Sequence, residues 1–235
     1  MLRSRLGTTL DITGDVAANS IQISQLADGN WKVQGIGTKV NGSNSAQTFP
    51  GITEIRANLM GGNDFVRLFN GTLDNGGSID MGAGNDIVQV ANFTSNDIFE
   101  IDLRDGNNSV AINNVTVNAP FGLSTGSGND TVAIVNSHLN EEVAMDFGSG
   151  NHVLSVSSTT LGAVSISMND QVDTVVMTNV IITHDFDIDL GDGNNAISAN
   201  HVTVASGFDF DITGAAAATW RQLSIVLAAT TRTST

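Results

Sequence analysis

Asp64, Asp86, Asp130 and Asp173 each close a turn of small polar residues and stand two positions before a valine. The turns read GGNDFV (61–66), GAGNDIV (82–88), GSGNDTV (126–132) and DQVDTV (170–175). A carboxylate at the end of such a turn points to a phosphate loop, a cation loop or a capped corner. A phosphate loop is excluded: no Lys-Ser/Thr pair follows the glycines, and no helical segment follows to offer its N–H groups. A calcium loop needs six to eight oxygens in flexible geometry, which carboxylates and turn carbonyls supply if several turns stack. The competing reading is conformational, because Asn and Asp tolerate left-handed backbone and cap free N–H groups at corners.

Stacking is what the spacing predicts. The same turn recurs as DGNNSV (105–110), GSGNHVL (148–154) and GDGNNAI (191–197). Its fifth residue is therefore Asp64, Asp86, Asn108, Asp130, His152, Asp173 and Asn195, at steps of 22, 22, 22, 22, 21 and 22 residues. Seven copies at one period define a repeat architecture.

The elements that position these turns follow from the columns between them. Val66, Val88, Val110, Val132, Leu154, Val175 and Ile197 form one apolar column, with a second two residues on from Leu68 to Ala199. A third runs Ile79, Ile101, Leu123, Met145, Ile166, Ile188 and Phe210, and a fourth ends Leu190, Ile212. Apolar residues two apart mean strands. Each unit then holds strands near 64–68, 71–73 and 77–81, too short for helical crossovers. The single missing residue falls at the corner between Leu161 and Val164, which leaves strand register intact. The predicted fold is all-β: a right-handed parallel β-helix (solenoid) of about seven 22-residue coils with end caps. Residues 49–212 are the coils, 1–48 an N-terminal cap with a hairpin at Asp28-Gly29, and 213–235 a C-terminal cap or extension. The column Asn70, Asn92, Asn114, Asn136, Ser158, Asn179 and His201 marks a corner, read as a buried asparagine ladder, with an outward column as the alternative.

Composition narrows the function. The chain has 235 residues, 9 Lys and Arg against 24 Asp and Glu, and a net charge of −15, which repels nucleic acid and anionic membranes. It has no Cys, so neither disulfides nor thiolate metal sites hold it together. There is no apolar run of membrane-spanning length, and no secretory signal is visible in MLRSRLGTTLDITGD. Low Lys with abundant Asn, Ser and Thr leans toward an extracellular or cell-surface bacterial protein.

The turns resemble the Gly/Asp calcium repeats of secreted bacterial RTX (hemolysin-type) proteins, with pattern GGxGxDxUx, most closely at Gly82–Val88 and Gly126–Val132. Over roughly 49–212 the chain looks like the parallel β-helix repeat proteins of large bacterial surface proteins. That resemblance implies calcium as cofactor, with Asp64, Asp86, Asp130 and Asp173 as metal ligands. The chain departs from the pattern where Met60, Met81, Thr125 and Phe147 replace the first glycine, and where Asn108, His152 and Asn195 lack the carboxylate.

Other surfaces offer further chemistry. An acidic column, Asp80, Asp102, Asp146, Asp189 and Asp211 interrupted by Ser124 and Ser167, is expected to face solvent. Asn-x-Thr triplets at 70–72, 92–94 and 114–116 resemble ice-binding solenoids, although His138 and Ile181 break the Thr column. Polysaccharide lyases and hydrolases share the fold, but the only basic side chains from 57 to 212 besides His are Arg67 and Arg104, and there is no Tyr. Carboxylate pairs such as Asp187 and Asp189 recur as Asp209 and Asp211, whereas an active site should break a repeat. His138, His152, His184 and His201 fall in different columns and are expected as solvated or satisfied surface residues. No catalytic residue is therefore assigned. The expected function is a non-enzymatic structural or adhesive, calcium-binding repeat module whose partner is a cell-surface polysaccharide or protein. A polysaccharide lyase or hydrolase and an ice-binding solenoid are the alternatives.

Overall fold

The computed structural model describes residues 8–169, 171–205, 209–214 and 219–227, with the backbone alone for Phe210 and 219–227. The parts of both expected caps at 1–7, 215–218 and 228–235 lie outside the described residues. The fold is a β-solenoid of two sheets, parallel except at the N-terminal edge of one, with no helix among the described residues. None can therefore be long and apolar enough to cross a membrane.

Each coil contributes one long and one short strand. The long strands are Phe65–Leu73, Ile87–Ser95, Ser109–Val117, Thr131–Val135 with His138–Leu139, Val153–Leu161, Thr174–Ile182 and Ala196–Val204. They pair in parallel and in register, so that Val66 meets Val88, Val110, Val132, Leu154, Val175 and Ile197 in turn. The short strands, such as Gly77–Asp80, Phe99–Asp102 and Phe121–Ser124, form the second sheet. Burial alternates along the strands on either side of the long strands' midpoint, as period-two side chains require, and the inward residues form one continuous core. Inside it Phe99 packs tilted against Phe93 at a centroid distance of 5.3 Å and stacks on Phe121 at 6.5 Å.

The long strand bends in its middle, which makes three walls from two sheets. The bend sits at Asn70, Asn92, Asn114, Asn136, Ser158, Asn179 and His201, all with φ between 51 and 55° except Asn92 at 50°. Asn is the non-glycine residue best suited to this region. The column is exposed, so the expected buried ladder is corrected to an outward one. The side chains of Asn70, Asn92 and Asn114 do bond one another, with Nδ2 donating to the previous rung's Oδ1 at 3.1 and 2.9 Å. Left-handed backbone turns the Cβ outward here while the chain bends inward. A second outward ladder runs Asp74, Asn96, Asn118, Asn140 at the next corner.

Both ends extend the coil. Thr9–Asp15 pairs in parallel with Glu54–Met60, and Ser20–Gln25 with Phe65–Leu73. The hairpin at Asp28-Gly29 joins Ser20–Gln25 to Trp31–Gly35. Trp31 is fully buried and lies against Gly71, so it offers no exposed aromatic platform. At the other end Thr219–Leu227 pairs in parallel with Ala196–Val204, inside the stretch assigned to a C-terminal cap or extension. The preceding register is corrected. Phe186 pairs with Phe210, Asp187 with Asp211, Ile188 with Ile212 and Asp189 with Thr213, a step of 24. Two extra residues lie between Val204 and Phe210, and an even insertion preserves which face each side chain takes.

Candidate functional site: the buried Asp/Asn/His column

The turn aspartates sit inside the solenoid. Asn19, Asp64, Asp86, Asn108, Asp130, His152, Asp173 and Asn195 are all at most 5% exposed. From Asp64 onward, each side chain accepts the backbone N–H of the residue one rung before it. Asn19 N–H donates to Asp64 Oδ1 and Asp64 N–H to Asp86 Oδ1, both at 2.6 Å. The series continues through Asn108, Asp130, His152, Asp173 and Asn195 at 2.8–3.4 Å. Corner N–H groups have no ladder partner, and leaving one buried and unpaired costs about 1–3 kcal/mol. The column meets that need at every rung.

The Asn before the Asp does the converse outside. Asn85 N–H donates to Asn63 Oδ1, Asn107 to Asn85, Asn129 to Asn107, and Asn151 to Asn129. A glycine two residues before Asp64, Asp86, Asn108, Asp130, His152 and Asn195 permits the fold of the turn, whereas Gln171 stands there before Asp173. Gly84 and Gly106 have φ of 148 and 136°, and a Cβ on Gly106 would stand 1.7 Å from the Gly84 carbonyl oxygen.

The second side-chain atom carries the chemistry. Asn108 Nδ2 donates to the carbonyls of Gly106 and Arg104 at 3.2 and 3.3 Å, and Asn195 Nδ2 to Leu190 at 2.8 Å. His152 Nε2 lies 3.1 Å from the Gly148 carbonyl and so carries the proton. In the Asp rungs the matching atom is Oδ2. Asp64, Asp86 and Asp173 each leave it buried without a hydrogen-bond partner, while that of Asp130 makes no hydrogen bond but lies 3.3 Å from His152 Nδ1. An oxygen in a place where its neighbours present N–H requires a proton or a cation.

The electrostatics agree. Burial pushes the Asp86 carboxyl up to about 6, opposed by the Asp64 N–H and aided by the Asp64 charge. Burial raises Asp64 and Asp173 as well, against the N–H groups of Asn19 and His152. For His152 burial disfavours the charged ring, but the facing Asp130 carboxylate, the Gly148 carbonyl and the charge of Asp173 outweigh it and raise its pKa. Its Nδ1 lies 3.3 Å from Asp130 Oδ2, and its ring 5.3 Å from that of Phe147. His152 is therefore not a surface residue, which corrects its expected place.

Calcium chemistry fits part of this column. The donors are hard oxygens, and the orphaned Oδ2 atoms of Asp64 and Asp86 stand on consecutive rungs. Asp130 and Asp173 are separated by His152. Among the described residues no three carboxylate, imidazole or thiol groups converge on one point. Any cation would thus complete its shell from turn carbonyls.

Outside, the acidic column lies on the short-strand face, where Arg104 bridges Asp80 and Asp102 at 3.2 and 2.9 Å. A shallow depression on that face forms where Gly122 and Ala144 are small, between Glu100, Asp102 and Asp146. Thr72, Thr94, Thr116, Thr160 and Thr203 line up on the other wall, interrupted by exposed His138 and Ile181. Sequence reasoning missed Asn19 as the column's first member. Its signal was present, since Ile21 and Ile23 follow it as Val66 and Leu68 follow Asp64, but the hairpin stretches this step to 45 residues.

Compared with known proteins, the β-solenoid chain matches no family model, no curated relative and no solved structure. The likeness to RTX turns accordingly rests on the residues quoted above.

Proposed function

We propose that this solenoid is a non-enzymatic structural or adhesive repeat module of a secreted or surface bacterial protein. The observation that carries this reading is the regularity of its polar side chains. The Asp column, the outer Asn ladders, the Thr row and the acidic face all recur rung after rung. A catalytic constellation is singular and departs from such a pattern, whereas a scaffold repeats it. The partner this favours is a cell-surface polysaccharide or protein. Incubation with a panel of acidic and neutral polysaccharides tests it: binding without product supports the module. Accumulation of unsaturated or shortened sugars would identify a lyase or hydrolase instead.

A calcium-dependent scaffold is the second reading, favoured by the orphaned Oδ2 atoms of Asp64 and Asp86. A divalent cation there would satisfy two buried carboxylates at neutral pH and tie two rungs together. Calcium binding to the folded state alone raises the melting temperature, and chelator reverses it. An unchanged transition in millimolar calcium and in chelator would remove this reading and leave the scaffold reading standing.

A further inference from the structure

The two sheets divide the charges of the chain between them. The short strands carry Asp80, Glu100, Asp102, Asp146, Asp187 and Asp189 pointing outward. In the other sheet the adjacent strands Ile87–Ser95, Phe65–Leu73, Ser20–Gln25, Trp31–Gly35 and Gln47–Phe49 contain no Asp or Glu. They do contain Arg67 and Lys32, both half-buried on the outer face. Arginines on the other sheet are neutralised within the chain: Arg56 lies 2.6 Å from Glu54, and Arg104 bridges Asp80 and Asp102. Among the described residues neither Arg67 nor Lys32 has an ion pair or a side-chain hydrogen bond. Strand register fixes their surroundings. One row across the strands reads Gln34, Gln22, Arg67 and Gln89, and the next reads Lys32, Ser24, Phe69 and Ala91. Arg67 and Lys32 stand two strands and two residues apart, roughly 12 Å between Cα atoms. The Arg67 guanidinium lies over the Phe69 ring, 4.7 Å from its centroid. That contact constrains the planar group while its N–H donors stay unbonded. Gln22 and Gln89, on either side of it, also keep their amides unbonded among the described residues.

We infer that this end of the sheet binds an acidic, uronate-bearing polysaccharide, with Arg67 and Lys32 holding its carboxylates and Gln22 and Gln89 its hydroxyls. This role presupposes an adhesive module and names its face and its glycan class. Charge selects the class. Two half-buried cations without a carboxylate of their own require an anion from outside. A guanidinium meets a carboxylate through two parallel N–H···O bonds, and the Lys32 ammonium holds another as a point charge. Spacing selects the polymer. A pyranose chain advances by close to one strand spacing, about 4.8 Å, per sugar, so a chain crossing the strands keeps in step with Gln22, Arg67 and Gln89. An extended peptide, at about 3.3 Å per residue, falls out of step with the same row. The net charge of −15 does not oppose this. The exposed acidic columns belong to the other sheet, about 10 Å away, beyond the screening length of about 8 Å at physiological ionic strength.

Calorimetric titration of the full chain with oligogalacturonate of defined length tests it, in chelator so that calcium cannot bridge uronates to the acidic columns. The expected result is saturable binding that weakens as salt is raised. Arg67→Gln and Lys32→Gln should each weaken it about 10-fold, as loss of a charge-assisted contact does. Ser165→Ala, on the other sheet, should leave it unchanged, with circular dichroism and melting confirming the fold of each variant. Absence of binding overturns the inference, as does binding indifferent to both Arg67→Gln and Lys32→Gln. Equal binding of a neutral glycan, a sulfated glycan or polyglutamate through the same residues overturns it too, by naming another occupant. Oligogalacturonate bound at this face but shortened would remove the adhesive reading and keep the site. A different polysaccharide held by another face would keep the adhesive reading and remove the site.

Discussion

Asp86 Oδ1 accepts the backbone N–H of Asp64 at 2.6 Å, across one rung of the solenoid, while its Oδ2 has no partner. One oxygen thus does structural work, and the other makes the contact sensitive to protons and cations.

The pH dependence follows with a definite sign. Asp86 is held at about 6 in the folded chain against an ordinary 3.8, so between these values the folded state binds more protons than the unfolded one. The contribution of this residue to stability is therefore greatest below about pH 4, falls as pH rises through about 6, and is flat beyond, with a loss of about 3 kcal/mol. Asp64 and Asp173, raised by burial, add in the same direction. Asp86→Asn supplies the N–H that Asn108 supplies in its own rung. Urea unfolding in chelator should show this variant more stable than the parent at pH 8 and the slope between pH 4 and 6 reduced. A variant less stable at pH 8 in chelator would show that Oδ2 meets its need otherwise.

His152 sets up a contrast between two substitutions. His152→Asn keeps an acceptor for the Asp130 N–H and a donor for the Gly148 carbonyl, as the column's own asparagines do. It should cost no more than about 2 kcal/mol, the volume change being its main defect. His152→Leu leaves both groups buried and unpaired, and should cost about 2–5 kcal/mol. Denaturant titration at pH 8 distinguishes them, and equal losses would mean that packing on Phe147 dominates.

The corners predict opposite tolerances. Asn92 is exposed with φ of 50°, so Asn92→Gly should change stability by well under 1 kcal/mol, whereas Asn92→Val should cost about 1–3 kcal/mol. Gly106→Ala should be worse than either, because its Cβ meets the Gly84 carbonyl as well as an unfavourable φ. Thermal melts of the three variants should rank in that order.

What could be read from the sequence, and what could not, divides along one physical line. Column membership is periodic, and Val66, Val88 and Val110 declare it without knowledge of the fold. Which side a corner residue takes depends on φ, and φ is not periodic information. The Asn70 column therefore reads equally well as buried or exposed. The offset between Asp189 and Thr213 was hidden because two added residues keep the in-and-out alternation that strands are recognised by. His152 looked like an exception to an aspartate column. It is a member, since an imidazole can both accept from one N–H and donate to one carbonyl, as an amide does. The calcium question could be posed from Asp64, Asp86, Asp130 and Asp173 but not narrowed. The spacing says nothing of Oδ1 being already engaged.

The opposed reach of Asn85 and Asp86 has a consequence for how such a chain changes over generations. Asn85 Oδ1 caps the rung ahead, and Asp86 Oδ1 caps the rung behind. Each repeat thus carries both halves of a joint, like a brick with tongue and groove. Removing residues 86–107 would join Asn85 to Asn108, whose Oδ1 already caps an N–H in the same geometry. Whole repeats can be lost or duplicated in the gene without opening a seam in the protein, so rod length is free to drift while the joint stays the same.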